Sequence, residues 1–140
     1  YQLAQASVVT NQVFEAAVAA AHQLRKVEYT VLALVERNDG LTAAQLASAL
    51  AFTPPNTAAW IDRLSRRGLI EREQHTSDRR ALHIRATPAG RALVRKATDQ
   101  ICAAEAEVLS RLTPAERLML IELLHKVATC RSGRKPPRAE

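Results

Sequence analysis

A mainly α-helical fold with one small β-hairpin is what this 140-residue chain predicts, in the layout of a winged helix-turn-helix flanked by long helices. Three observations carry the prediction. Ala and Leu dominate while aromatics make up only 4%, which favours close-packed helices over a sandwich of sheets. Three Thr-Pro pairs, Thr53-Pro54, Thr87-Pro88 and Thr113-Pro114, have the form of helix starts, with Thr as N-cap and Pro at the first helical position. Only between about 69 and 86 does the apolar period fall from that of a helix to two.

Residues 3–24 read as one helix. Leu3, Thr10, Ala17 and Leu24 recur every seven, with Ala6, Val13 and Ala20 as the second position, a heptad seam of small residues. A second helix runs from about 26 to 38, and Asn38-Asp39-Gly40 stops it. Thr42 with Gln45 forms a capping box for a short helix carrying Leu46, Ala47 and Leu50. From Thr53-Pro54 the next helix extends to Arg67, and Gly68 ends it. Its inward spacing is Thr57, Trp60, Ile61 and Leu64, so Trp60 is read as core filling rather than as a stacking platform. Leu69–Arg72 and Ala81–Ala86 read as strands, with Leu82, Ile84 and Ala86 on one face, joined by a long basic tip. A helix from Thr87-Pro88 to about 110 lines Ala97, Ile101, Ala104 and Val108 on one face. The last helix opens on the capping box Thr113–Glu116 and reaches about 130. From Leu118 to Val127 it is apolar over more than one stripe, the pattern of a helix that buries one face in its own core and one on a partner.

The organisation expected is a single domain over 1–130. Residues 41–87 form a winged-helix lobe, 1–38 and 88–130 form dimerisation helices, and 131–140 form a disordered basic tail.

Net charge is +6, and 16 of the 20 basic residues are Arg, whose planar fork suits phosphates and guanine edges. Helix, turn, helix and basic-tipped hairpin follow one another from 42 to 86, so duplex DNA is the expected partner. A helix of this length fits the major groove, and a hairpin tip reaches the neighbouring backbone or minor groove. On the helix the candidate contacts are Thr53, Pro55, Asn56, Ala58, Ala59, Arg63 and Arg66, where Asn56 can pair with adenine and the Ala methyls can touch thymine methyls. On the hairpin they are Arg72, His75, Ser77, Arg79 and Arg80.

No enzyme is expected. The chain has four glycines and no glycine-rich phosphate loop, and its histidines are scattered without metal spacing to Cys102 or Cys130, so neither cofactor nor metal is expected. Both cysteines read as buried thiols, and a disulfide between them within one chain is mismatched by ~12 Å at ~1.5 Å per helical residue. No apolar run approaches ~18 residues, so a cytoplasmic protein off the membrane is expected. A winged-helix module that binds protein, or a constitutive DNA binder, are the alternatives. The cluster Arg72, Arg79 and Arg80 argues for DNA.

Three stretches carry a family resemblance: Gly68-Leu69-Ile70-Glu71-Arg72, Ser77-Asp78-Arg79-Arg80-Ala81, and Thr87-Pro88-Ala89-Gly90-Arg91-Ala92-Leu93. With their spacing, they resemble the MarR (multiple-antibiotic-resistance regulator) family. The resemblance implies a homodimeric winged-helix regulator, typically a repressor, that binds an inverted-repeat operator and is released by a small molecule. It implies a recognition helix at 54–67 and a wing at 71–86. Arg80 would take the position of the DNA-reaching wing arginine, and Asp78 would brace the wing by pairing with an Arg. The first, fifth and sixth helices would form the dimer. The corner between the first two helices, with His22, Arg25 and Tyr29, would meet a small aromatic anion as effector. Ala59 departs from the family, where a basic residue is frequent, as does the Pro54-Pro55 start.

Overall fold

The computed structural model describes residues 1–74 and 82–129. Mainly helical with a small sheet, it has the predicted fold class. Helix α1 (Gln2–Phe14) passes through a π-helical turn (Glu15–Ala19) into α2 (Ala20–His22). It is followed by α3 (Lys26–Arg37), β1 (Leu41–Thr42), α4 (Ala43–Leu50) and α5 (Pro54–Arg66). The strands β2 (Ile70–Gln74) and β3 (Leu82–Ala86) come next. Then come α6 (Pro88–Val108), a 3-10 turn (Leu109–Arg111) and α7 (Pro114–Thr129). The chain divides into two compact units, one ending at Ala104 and one beginning at Glu105.

In the first unit, the predicted first helix contains an extra residue in its π turn. The buried residues there are Phe14 and Val18, with Leu24 just beyond the helix, while Leu3 on the heptad seam is exposed. Gln23 ends this helix in the left-handed region at φ 48°. Strand β1 escaped the sequence reading because two residues are too short to show a period. It pairs antiparallel with β3, Leu41 opposite Ile84, so the sheet order is β1-β3-β2. The hairpin register puts Ile70 opposite Ala86 and Gln74 opposite Leu82. Ile84 and Ala86 face inward as expected. Leu82, at the far end of the hairpin, is exposed.

The lobe closes around Val31, Leu32, Val35, Leu46, Ile61, Leu64, Leu69, Ile70, Ile84, Ala86 and Val94. A second cluster joins Phe14, Val18 and Leu24 to Ala97 of α6, and Tyr29 packs at the edge of both. The resemblance-bearing stretches meet in space. Thr87 donates its hydroxyl to the Gly68 carbonyl at 2.7 Å and its N–H to the Leu69 carbonyl at 3.1 Å. It then caps α6 by accepting from Gly90 N–H at 3.0 Å. A Cβ on Gly90 would lie 2.0 Å from the Leu69 carbonyl oxygen, so only glycine allows this approach. Gly68 itself sits at φ 68°, the left-handed position expected after a helix.

The capping box of Thr42 and Gln45 forms as expected. Thr53 precedes α5 with extended backbone, but its side chain makes no capping bond. Cys102 is exposed rather than buried. Cys130 and the tail lie outside the described residues. In the second unit, Thr113 and Glu116 form the expected capping box, and no residue of α7 is buried.

Candidate nucleic-acid interface

Helix α5 presents two unlike faces because its apolar side chains follow one stripe. Thr57, Ile61 and Leu64 are buried, and Thr57 satisfies its hydroxyl on the Thr53 carbonyl at 3.1 Å. Thr53, Pro55, Asn56, Ala58, Ala59, Arg63 and Arg66 are all exposed. Trp60 divides its surface, packing on the edge of the core and lining a cleft of about 510 Å³ with Ala59, Arg63, Arg66 and Arg67.

Two of the predicted contact arginines are paired with carboxylates of the chain, and Arg66 Nε donates to the Asp62 carbonyl of its own helix at 3.4 Å. Arg72, at the root of the hairpin, pairs with Asp62 on α5. This pair ties the hairpin to the helix and is a brace the sequence reading did not find. His75, Ser77, Asp78, Arg79 and Arg80 lie outside the described residues. Arg63 donates its Nε–H to Glu28 at 2.6 Å, although its side chain remains 44% exposed.

Glu28 was missed altogether. A glutamate in the first turn of an amphipathic helix reads as solvated, yet this one is 0% exposed. Arg25 N–H donates to it at 2.8 Å, and Arg67 Nη1 donates at 3.2 Å. Burial pushes its carboxyl up. The Arg25 N–H, the Arg63 hydrogen bond and the charges of Arg63 and Arg67 outweigh this and hold it below the usual glutamate value.

Of His22, Arg25 and Tyr29, the first and last make hydrogen bonds to α6. His22 Nε2 and Gln100 Oε1 lie within hydrogen-bond distance, at 2.6 Å. Thr98 gives its hydroxyl proton to the Val94 carbonyl at 2.7 Å, so Tyr29 donates to Thr98 at 3.0 Å. Both side chains are thereby turned to α6. Arg25 instead lines a cleft of about 460 Å³ with Glu15, Ala19, Gln23, Leu24, Lys26 and Arg63.

Comparison with known proteins decides the family. The MarR family model matches residues 24–82. An HTH-type transcriptional repressor of Mycobacterium tuberculosis is 30% identical over 102 residues, covering 73% of each chain. The chain belongs to the MarR family. This MarR-family chain also aligns with the transcriptional repressor CouR bound to a 23-mer DNA duplex. The two are 29% identical with a TM-score of 0.80, over 91% of this chain and 90% of CouR. A MarR-family regulator from Rhodococcus shares the fold at a TM-score of 0.80 and 23% identity, over 91% of each chain. The protein is therefore a DNA-binding transcription regulator and not an enzyme. Among the described residues, no helix is long and apolar enough to cross a membrane.

Proposed function

We propose that this MarR-family protein is a cytoplasmic homodimeric repressor that lays α5 into the major groove of an inverted-repeat operator. The observation that carries the reading is the division of α5 into a buried stripe and an exposed face bearing Asn56, Ala58, Ala59 and Arg66. In this reading Asn56 pairs with adenine and Ala58 and Ala59 touch thymine methyls, while Thr53, Pro55 and Arg66 meet the backbone. Arg63 and Arg72 contribute field and position rather than base contacts, because Glu28 and Asp62 hold them. The wing residues His75, Ser77, Arg79 and Arg80 reach the adjacent groove, with Asp78 bracing them. The dimer forms through segments 1–38 and 88–130 of a single domain over 1–130, leaving 131–140 as a basic tail. Exposed Leu118, Ile121 and Val127 support that assignment.

A small aromatic anion releases the DNA. Support comes from the basic cleft beside Arg25, Lys26 and Arg63, and from CouR, which has also been solved with p-coumaroyl-CoA bound. His22 and Tyr29 shape that corner from the α6 side.

Selection of bound sequences from random duplex DNA tests the reading. An inverted repeat with half-sites about one helical turn apart is expected, with affinity falling steeply with salt. No enrichment, or an unchanged affinity in Arg79→Ala with Arg80→Ala, would remove the operator or the wing assignment respectively. Salicylate-like compounds titrated into the operator complex should lower affinity by roughly 5- to 150-fold if the coupling has the usual size. A broad panel with no effect would leave a constitutive binder.

A further inference from the structure

The C-terminal half of α5 is held by one buried carboxylate. Glu28 Oε1 accepts from Arg63 Nε at 2.6 Å and from Arg67 Nη1 at 3.2 Å, while its Oε2 accepts from Arg25 N–H at 2.8 Å. The second amino group of Arg67 reaches the His22 carbonyl at 3.2 Å. Two guanidiniums four residues apart, one on α5 and one on its C-cap residue, are thus fixed to the corner between α2 and α3.

Stability is a poor reason for such an arrangement. The carboxylate is buried while Arg63 and Arg67 keep part of their surface in water, so much of what the pairing gains offsets the desolvation of Glu28. Its distinctive property is direction. The close packing of Ile61 and Leu64 sets the depth of the helix, and two hydrogen-bonded arginines one turn apart add directional restraints on its rotation and axial position. Base reading needs that precision, because an adenine accepts an amide side chain only within hydrogen-bond reach.

We propose that Glu28 is a positioning residue for DNA recognition, setting the rotation of α5 through Arg63 and Arg67 so that its exposed face meets the base edges in register. This rests on the reading of α5 as the recognition helix. Glu28 touches no DNA and acts wholly through the two arginines.

The test uses Glu28→Gln, which keeps shape and size and can still accept from Arg25 N–H. On charge alone this change would tighten binding to every DNA, since it removes a negative charge beside two cations. The positioning role predicts the opposite for the operator. Affinity for the duplex selected from the random pool should fall about tenfold, within the range such couplings reach, while affinity for poly(dI-dC) is unchanged or raised. Arg67→Gln is the second variant. It leaves Glu28 paired with Arg63, so no buried carboxylate is orphaned, and the ratio of specific to non-specific affinity should shift in the same direction.

Equal weakening on both DNAs in step with a lower melting temperature, or uniform tightening, would overturn the proposal. Arg66→Ala separates it from the reading beneath it. No loss on any DNA in Arg66→Ala would remove α5 as the recognition helix. Loss there, with an unchanged ratio in Glu28→Gln and Arg67→Gln, would overturn the positioning role alone.

Discussion

Helices α5 and α7 open on the same Thr-Pro pair and bury different things. In α5 the apolar residues fall on one stripe, and the lobe covers Ile61 and Leu64 completely or nearly so. In α7 they wrap around the helix, and Leu118, Met119, Ile121 and Val127 are all more than half exposed. A helix in water gains most of its stability from packing an amphipathic face rather than from propensity. Thus α5 is completed by its own chain, while α7 leaves a surface of the kind that mates with another copy. The first asymmetry leaves one face of α5 exposed, as the proposed DNA contact requires, and the second supports the dimer that would present two such faces.

The largest effect should come from emptying the stripe of α5. Leu64→Ala removes a side chain with no exposure and should destabilise the lobe by about 2–5 kcal/mol. Chemical denaturation followed by Trp60 fluorescence reads this directly. A loss under about 1 kcal/mol would mean the lobe is not the self-sufficient unit described.

Next in size is a charge placed on α7. On the proposed dimer, Leu118→Glu with Ile121→Glu forfeits about 1.5–3 kcal/mol for each side chain that the partner would bury. Sedimentation should then show the mass of one chain where the unaltered protein shows two. In a monomer the same changes would be nearly silent, so an unchanged mass and an unchanged melting temperature would remove α7 from the interface.

Much of this contrast was legible in the sequence, and the reasons for the gaps are physical. Stripe width separates α5 from α7 on spacing alone. The Gly68-Leu69 and Thr87–Gly90 stretches were legible as a pattern, but not the reason for it. That reason is an approach of the Gly90 backbone to the Leu69 carbonyl, and it exists only in three dimensions. Glu28 was illegible because its partners lie 35 and 39 residues away, and nothing local marks a glutamate as buried. The pairing of Asp62 with Arg72 was hidden in the same way. It spans the turn between α5 and β2, and sequence spacing alone does not show which of several nearby charges will meet. The π turn at Glu15–Ala19 inserts one extra residue into the first helix, and no local period in the sequence marks it.

Acid should loosen the hold of Glu28 on the end of α5. The native pairing holds the Glu28 carboxyl below its ordinary value, so the unfolded chain takes up the proton first as pH falls. Stability from Glu28 is therefore fully present above the ordinary glutamate range. It is lost progressively as pH drops below about 5 and through the lowered native value. Melting temperature followed from pH 7 to pH 3 should fall less steeply in Glu28→Gln than in the unaltered chain. Parallel curves would mean that the pairing contributes nothing to the acid response.

The smallest effect concerns the two threonines that begin these helices. Thr113 accepts from Glu116 N–H at 3.3 Å and, with its own N–H and hydroxyl, donates back to the Glu116 carboxylate at 2.7 and 2.8 Å. Thr53 makes no such side-chain bond, although its carbonyl takes the Thr57 N–H at 3.0 Å just as the Thr113 carbonyl takes the Arg117 N–H at 3.0 Å. Thr113→Ala should therefore cost about 1 kcal/mol of stability, the usual value of a lost N-cap. Thr53→Ala should stay within about 0.5 kcal/mol, as surface changes do. Operator binding should reverse this order. An uncommitted hydroxyl at the N-terminus of a helix is placed to donate to a phosphate, and the helix dipole favours that anion. Thr53→Ala should thus weaken operator binding modestly and reduce its dependence on salt little, since no charge is removed. Equal stability losses in the two variants would mean that both threonines cap in solution, and α5 and α7 would then differ only in what covers them.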